Sequence, residues 1–364
     1  MKNILIVFGT RPEIIKLAPL ISELKSFCNL TTLHTGQHRD LAYPLFKLFE
    51  IQPDIDLDVM EEGQDLFALT GKLLPLLKSS MMEVKPDYVI VQGDTTSSYL
   101  AALSAFYLQI PVLHVEAGLR SHSIREPFPE ELNRRQISGI ASYHFAATEL
   151  NKLNLLNEGI DEKRIVVTGN TIVDAMRSVT KHHTNSNGRP QILNGYQGTK
   201  QNALLTVHRR ENHGQTFHDI LNAIEKLLEL FPDLSIILPV HPNPNIQKVI
   251  RDHNISSPRF ITIPPVTYDD FIEIIQFSDF ILTDSGGLQE EGAALGKKIF
   301  VLRNKTERME LIDSELGELV GTDPTKIVDC VSSYLRSGYK VDPKDIYGDG
   351  KAAERIREFI LDQL

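Results

Sequence analysis

The chain predicts an α/β protein built from doubly wound parallel sheets, and three features of its sequence predict it. Short β-branched runs recur: NILIVF, LTTLHT, YVIVQG, PVLHVE and RIVVTG, then ALLTVH, SIILPV, FITIP, DFILTD and KIFVL. Between most of them lie segments with apolar residues at helical spacing, such as Ile14, Ile15, Leu17, Ala18, Ile21 and Leu24, or Ile220, Ile224, Leu227 and Leu228. Continuous apolar strands alternating with amphipathic helices are the pattern of a parallel sheet covered on both faces. The third feature is length, since 364 residues exceed what one hydrophobic core usually fills. The polar stretch HHTNSNGRPQILNGYQGTKQN, residues 182–202, interrupts the rhythm and reads as a hinge. Two such domains would face each other across a cleft, with ligands at the carboxyl ends of the strands.

Composition narrows the function. A hydrophobic fraction of 41% and a charged fraction of 24% are those of an ordinary globular protein. The formal net charge of -10 argues against a nucleic-acid surface, which needs clustered cationic excess. The two cysteines, Cys28 and Cys330, lie far apart without metal spacing and read as thiols of a reducing compartment. No apolar run approaches the roughly 20 residues that cross a bilayer, so no membrane partner is expected. The N-terminal run ILIVF passes at once into GTRPE, which is neither a signal core nor a cleavage site, and the expected location is the cytoplasm.

The first half carries three strand-to-helix motifs. In FGTRPEIIK a strand ends at Phe8, Gly9 allows a tight turn and Pro12 suits the first helical turn. Arg11, with Lys16 further along the helix, can clamp an anion beside the helix N-terminus, although solvated cations at an ordinary turn fit the residues as well. Pro19 should kink that helix or restart it. In VQGDTTSSYLAA, Asp94 could be a helix cap, but Thr95, Thr96 and Ser97 can cap instead and leave it free. PVLHVEAGLR places Glu116 at the polar tip of a buried strand, where a carboxylate needs a reason. REPFPEELNRRQ puts Glu130 and Glu131 in the first turn of a helix, where acidic residues also complement the macrodipole. Converging on one wall, Asp94, Glu116 and Glu130 would offer several carboxylates for proton transfer.

In the second half, LLTVHRRENHG ends a strand with His208, Arg209 and Arg210, a combination suited to an anion. His241 in PVHPNPN reads as structural. LTDSGGLQEEGAALGK presents Ser285 as an N-cap, then Gly286 and Gly287 where a ligand can approach the backbone of a helix running from Leu288 to about Leu295, ended by Gly296. Exposed N–H groups and the helix dipole make an anion site there. At 1.5 Å per residue, Glu291 lies about 9 Å beyond Ser285, roughly the reach from a diphosphate to a ribose. The geometry suits a nucleoside diphosphate. No GxxxxGK[ST] occurs and no GxGxxG follows a strand, so nucleotide hydrolysis and nicotinamide-linked hydride transfer lose their main support. No zinc-like spacing of His, Cys, Asp and Glu is present.

With these motifs in place, the chain resembles the non-hydrolysing UDP-N-acetylglucosamine 2-epimerases over essentially its whole length. The resemblance rests on FGTRPEIIK, HTGQHRD, GDTTSS, HVEAGLRS, PEELNR, TGNTIVDA, HRREN, PVHPNP, LTDSGGLQEE, TER and YGDG, in that order. It implies the GT-B architecture, two Rossmann-like doubly wound parallel-sheet domains facing an interdomain cleft. Residues 1–180 would form the first domain, rejoined by a terminal helix at 351–364, and 200–350 the second, UDP-binding one. A homodimer acting on a UDP-sugar, without cofactor or metal, is implied.

The implied reaction interconverts UDP-N-acetylglucosamine and UDP-N-acetylmannosamine. UDP is expelled from C1 as the C2 proton is removed, giving a 2-acetamidoglucal, and adds back with the proton on the other face. By motif, Asp94, Glu116 and Glu130 resemble the acid/base carboxylates, with His208 near the diphosphate and sugar. Arg11, Lys16, Ser285, Gly286 and Arg308 look like substrate contacts and Glu291 like the ribose ligand. Gln37, His38, Gln64, Glu131, Arg209 and His241 match parts of a second UDP-N-acetylglucosamine site that activates some members, whereas Asp40 and Gly63 stand where those members often carry Gln and Arg. TERMEL in place of the usual TERPE, and PPVTYDDF before a helix of the second half, also depart from the family pattern. The alternatives are a 2-epimerase of a modified UDP-sugar, such as a diacetamido uronic acid, a hydrolysing epimerase, and a UDP-sugar glycosyltransferase on the same scaffold.

Overall fold

The computed structural model describes residues 1–37, 39–61, 63–182, 190–194, 196, 199–209, 212–241, 243–338 and 344–363. Much of the expected hinge stretch, and His38, therefore lie outside the described residues. The chain divides into two compact units, Met1–Ser178 with Tyr347–Leu364, and Val179–Ile346.

The first unit is a parallel sheet of seven strands in the order β3-β2-β1-β4-β5-β6-β7. These are β1 (Asn3–Phe8), β2 (Asn29–His34), β3 (Ile55–Asp56), β4 (Tyr88–Gln92), β5 (Val112–Ala117), β6 (Tyr143–Ala146) and β7 (Ile165–Val167). The intervening helices are α1 (Arg11–Leu24), α2 (Arg39–Leu48), α3 (Leu66–Val84), α4 (Thr96–Tyr107), α5 (Glu130–Ile140), α6 (Glu149–Asn157) and α7 (Thr171–His182). Ile4, Leu5, Ile6 and Val7 are fully buried, as a strand covered on both faces requires. Of the two expected effects of Pro19, a kink or a restart, the restart does not occur, because α1 runs through it as a single helix. Proline removes the N–H that would bond the Ile15 carbonyl, but the burial of Leu17, Leu20, Ile21 and Leu24 holds the helix together.

The second unit is a parallel sheet of six strands, β10-β9-β8-β11-β12-β13. Its strands are β8 (Gln201–Thr206), β9 (Leu234–Pro239), β10 (Phe260–Ile263), β11 (Phe280–Thr283), β12 (Lys298–Val301) and β13 (Gly317–Leu319). They alternate with α8 (Gln215–Leu230), α9 (Pro244–His253), α10 (Tyr268–Phe277), α11 (Gly286–Ala294), α12 (Met309–Asp313) and α13 (Pro324–Ser337). The last helix, α14 (Ala352–Gln363), belongs to the first unit. Phe359 packs against Tyr143 and Phe145 of β6, and Arg357 pairs with Glu23 of α1.

In each sheet the strand order reverses once, between β1 and β4 in the first unit and between β8 and β11 in the second. Crevices open outside the carboxyl ends of the strands at such reversals, and they are the favoured ligand positions of open α/β sheets. Among the described residues no helix is long and apolar enough to cross a membrane.

Candidate active site

At the first reversal, β1 runs into Gly9. A Cβ on Gly9 would lie 2.0 Å from the Thr35 hydroxyl oxygen and 2.6 Å from that of Ser97. The position therefore needs glycine for close approach by the loop after β2 and the first turn of α4 rather than for an unusual φ. Thr10 takes the N-cap position of α1 with its N–H donated to Glu13, and Arg11 begins the helix half-buried, with no hydrogen bond or ion pair to the described residues. Lys16, expected beside Arg11, is turned into the protein, where its ammonium lies 2.5 Å from Glu116 Oε2. A buried ammonium needs a buried counter-charge, and Glu116 supplies it.

Glu116 has a left-handed backbone, φ +62, where the pairing of β5 with β6 slips between Val115 and Ala117. That conformation costs a non-glycine residue on the order of 1–3 kcal/mol and persists only where surrounding contacts impose it. Here they are the Lys16 ammonium and the Gln92 amide, which donates to the same Oε2 at 2.6 Å. The bulge re-aims the carboxylate at the strand end.

Asp94 follows Gly93, itself left-handed at φ +68. Thr95 is the cap of α4, accepting from the Ser98 N–H at 3.1 Å, so Asp94 is released from capping. It is held instead by α5: Arg134 donates to Asp94 Oδ2 through Nε at 3.0 Å and through Nη2, and Asn133 donates to the Asp94 carbonyl at 2.9 Å. His114 Nε2 sits 2.7 Å from the Gly93 carbonyl. Burial drives the His114 pKa down to about 4, so the ring is neutral and its Nε2 proton is the one donated to that carbonyl. Glu130 opens the helix whose Asn133 and Arg134 grip Asp94, which brings α5 to the ends of β4 and β5.

At the second reversal, Asp284 follows β11 and is fully buried. It accepts from the backbone N–H groups of His208 and Arg209 and from the Asn212 amide, and its Oδ1 lies 3.2 Å from His208 Nδ1. His208 stacks on His241, with ring centroids 5.9 Å apart and planes 18° from parallel. Ser285 caps α11 by accepting from the Leu288 N–H, as its sequence position predicts, although the helix starts two residues earlier than Leu288. A Cβ on Gly286 would meet the Arg308 guanidinium at 2.6 Å, whereas nothing lies within 4 Å of one on Gly287. The open approach to the helix N-terminus is thus beside Gly287. Arg308 is buried and paired with Glu290 at 2.8 Å and with Glu307, which also pairs with Arg303 at 3.0 Å. Glu291 is nearly buried, at 6% exposure, on α11.

His38 lies outside the described residues, and the other residues matched to a second sugar-nucleotide site are engaged locally. Gln37 accepts from the Ser97 hydroxyl at 2.8 Å, and Gln64 donates to the Val59 carbonyl at 3.2 Å. Glu131 is fully buried, accepting from the Ser121 N–H, Arg134 and Arg135. Arg209 Nε donates to the Asp284 carbonyl, and His241 Nδ1 accepts from the Asn243 N–H. Sequence reasoning missed Gln92, His114, Arg134 and Asp284. Only Asp284 carried a signal, an acidic residue directly after a buried strand. Among the described residues no cluster of His, Cys, Asp and Glu could hold a metal ion.

The profile of the family described as UDP-N-acetylglucosamine 2-epimerase matches residues 22–361. UDP-N-acetylglucosamine 2-epimerase of Campylobacter jejuni is 40% identical over 377 residues, covering 99% of this chain and 98% of that protein. The structure of UDP-GlcNAc 2-epimerase from Neisseria meningitidis bound to UDP-GlcNAc matches with a TM-score of 0.94 at 38% identity, over 99% of this chain and 100% of that one. That of Methanocaldococcus jannaschii UDP-GlcNAc 2-epimerase in complex with UDP-GlcNAc and UDP matches with a TM-score of 0.87 at 36% identity, over 98% and 99%. The fold class is accordingly the GT-B type, made of two Rossmann-like units. In sequence and in fold, along nearly its entire length, the chain belongs to the UDP-N-acetylglucosamine 2-epimerase family.

Proposed function

We propose that the chain is a non-hydrolysing UDP-N-acetylglucosamine 2-epimerase, an isomerase interconverting UDP-N-acetylglucosamine and UDP-N-acetylmannosamine. The C2 proton passes to a carboxylate of the first unit, the C2–H electron pair becomes the C1=C2 double bond, and the C1–O pair leaves with UDP. Re-addition of UDP at C1, with a proton delivered to the opposite face of C2, completes the exchange. UDP must stay bound in between.

The roles follow from chemistry. Asp94, Glu116 and Glu130 carry protons; Arg134 fixes Asp94 through Oδ2 and leaves Oδ1 for the substrate. The N-terminus of α11, with Ser285 and Gly286 and open beside Gly287, holds the diphosphate, and His208 lies beside it. Glu291 takes the ribose hydroxyls, while Arg11, Lys16 and Arg308 complete the substrate contacts. The observation that carries the reading is Glu116, a strained carboxylate at a β-bulge beside Asp94's strand, held by a buried lysine. Relatives whose structures hold UDP-GlcNAc and UDP support the substrate class. A homodimer is the assembly we assign.

The test is incubation with UDP-N-acetylglucosamine in deuterated water, followed by NMR. Deuterium at C2 with UDP still attached, together with formation of UDP-N-acetylmannosamine, is the expected result. Accumulation of free N-acetylmannosamine would point to hydrolysis instead, and an inert sugar would refute an epimerase.

A further inference from the structure

Glu13 has no part in the reaction above, yet it is only 1% exposed and receives donors from the loop before α1 and from the N-terminal turn of α4. Its Oε2 accepts from the backbone N–H of Gly9 at 3.0 Å and of Thr10 at 2.7 Å. Its Oε1 lies 2.7 Å from the Thr95 hydroxyl and 2.5 Å from that of Ser98. The first pair belongs to the loop that carries Arg11, the second to the turn that follows Asp94. A glutamate three residues into a helix commonly bonds the N-cap N–H, and helix stability alone explains that half of the contacts. It does not explain the other oxygen, committed to hydroxyls 82 and 85 residues further along the chain.

The contacts fix more than one helix end. Thr95 donates to Glu13 while its oxygen accepts from the Ser98 N–H, so Glu13 sets the orientation of the residue next to Asp94. Ser98 Oγ also lies 2.7 Å from the Gln92 carbonyl, on the strand whose Gln92 amide holds Glu116. One turn beyond Glu13, Lys16 on the same helix pairs with Glu116 itself. Helix α1 thus presents two buried charges, one to each carboxylate-bearing strand end.

We propose that Glu13 is a positioning residue that locks the Arg11 loop to the Asp94 turn, holding the anion-contacting and proton-carrying groups at a fixed separation. The inference rests on the roles assigned to Arg11 and Asp94 above. A displacement of about 1 Å in such a constellation costs on the order of 100-fold in rate.

The test compares Glu13→Ala and Glu13→Gln with the parent by steady-state kinetics, UDP titration and amide hydrogen exchange of segments 8–11 and 93–98. Glu13→Ala should lower kcat roughly 100-fold with KM changed less than about 3-fold, because ground-state binding survives while geometry is lost. UDP affinity should hold, and both segments should lose protection together. Glu13→Gln keeps the length and one acceptor oxygen, and its amide can donate to the hydroxyl oxygens, so it should recover kcat to within about 10-fold of the parent. A residue needed only for helix stability would lower the folded fraction without lowering kcat per UDP-binding site. Should Glu13→Ala retain kcat per site within about 3-fold, or leave either segment fully protected, the proposal is overturned. If Glu13→Ala does not fold, Ser98→Ala, which takes one hydroxyl from Glu13 Oε1, decides: lowered kcat with loss of protection in both segments supports the link, and parent kcat with both segments protected overturns it. A parent that shows no epimerisation, alongside joint loss of protection in the variant, would keep the Glu13 link and discard the epimerase reading.

Discussion

Acid should weaken the first unit through two buried histidines, and replacing one of them should remove about half of the effect. His114 and His144 are neighbours across β5 and β6, both fully buried, with ring centroids 6.5 Å apart. Among the described residues neither ring nitrogen of His144 has a hydrogen-bond partner. Burial is the main cause that lowers the His114 pKa to about 4 and that of His144 to about 3, from an ordinary 6.5. Between those values and 6.5 the unfolded chain binds protons that the folded chain refuses. Stability is therefore intact above pH 6.5 and falls as pH drops toward the folded values. At pH 5 each histidine costs about 2 kcal/mol relative to pH 7.5, at roughly 1.4 kcal/mol per pH unit of the window crossed. His144→Leu is the variant to make, since His114 also holds the Gly93 carbonyl. Urea unfolding of parent and variant at pH 7.5 and 5.0 gives a double difference in which the packing effect of the substitution cancels. The variant should lose about 2 kcal/mol less than the parent on acidification. Equal losses, within about 0.5 kcal/mol, would refute the claim that His144 is held neutral by burial.

Asp94→Asn should abolish deuterium incorporation at C2 while UDP titrates to within about 3-fold of the parent, because an amide keeps the shape but cannot take up a proton at neutral pH. Turnover near the parent rate would remove Asp94 from the chemistry. Gly9→Ala should destabilise the protein by about 1–3 kcal/mol in thermal unfolding, since the added Cβ would sit 2.0 Å from the Thr35 hydroxyl. An unchanged melting temperature would mean the loops around Gly9 give way freely.

The two sheets were legible because strands buried on both faces leave uninterrupted β-branched runs, as Ile4 to Val7 do. Caps were legible too: Thr95 and Ser285 occupy the positions that local backbone bonding favours. Three strands escaped: β3 and β13 are edge strands of two and three residues, which need little apolar sequence, and β6 is interior but only four residues long, YHFA, with Tyr143 and His144 breaking its apolar run. Residues joined only by folding escaped as well. Lys16 and Glu116 are 100 positions apart and Arg134 and Asp94 are 40, so no local pattern announces either pair. The left-handed backbone of Glu116 is equally silent in sequence, since nothing about a glutamate marks φ +62. Gly9 carries only a turn signal in sequence, and the fold alone shows that Thr35 and Ser97 close upon it.

Reversible rupture of the anomeric C–O bond, with UDP retained, is the step on which the whole account turns. It is measured by preparing UDP-N-acetylglucosamine with oxygen-18 in the bridge between C1 and the β-phosphorus and following its position by phosphorus NMR. The label should scramble into the non-bridging β-phosphate oxygens at a rate no slower than epimerisation. A label that stays in the bridge while C2 acquires deuterium would contradict the mechanism and leave direct deprotonation in its place.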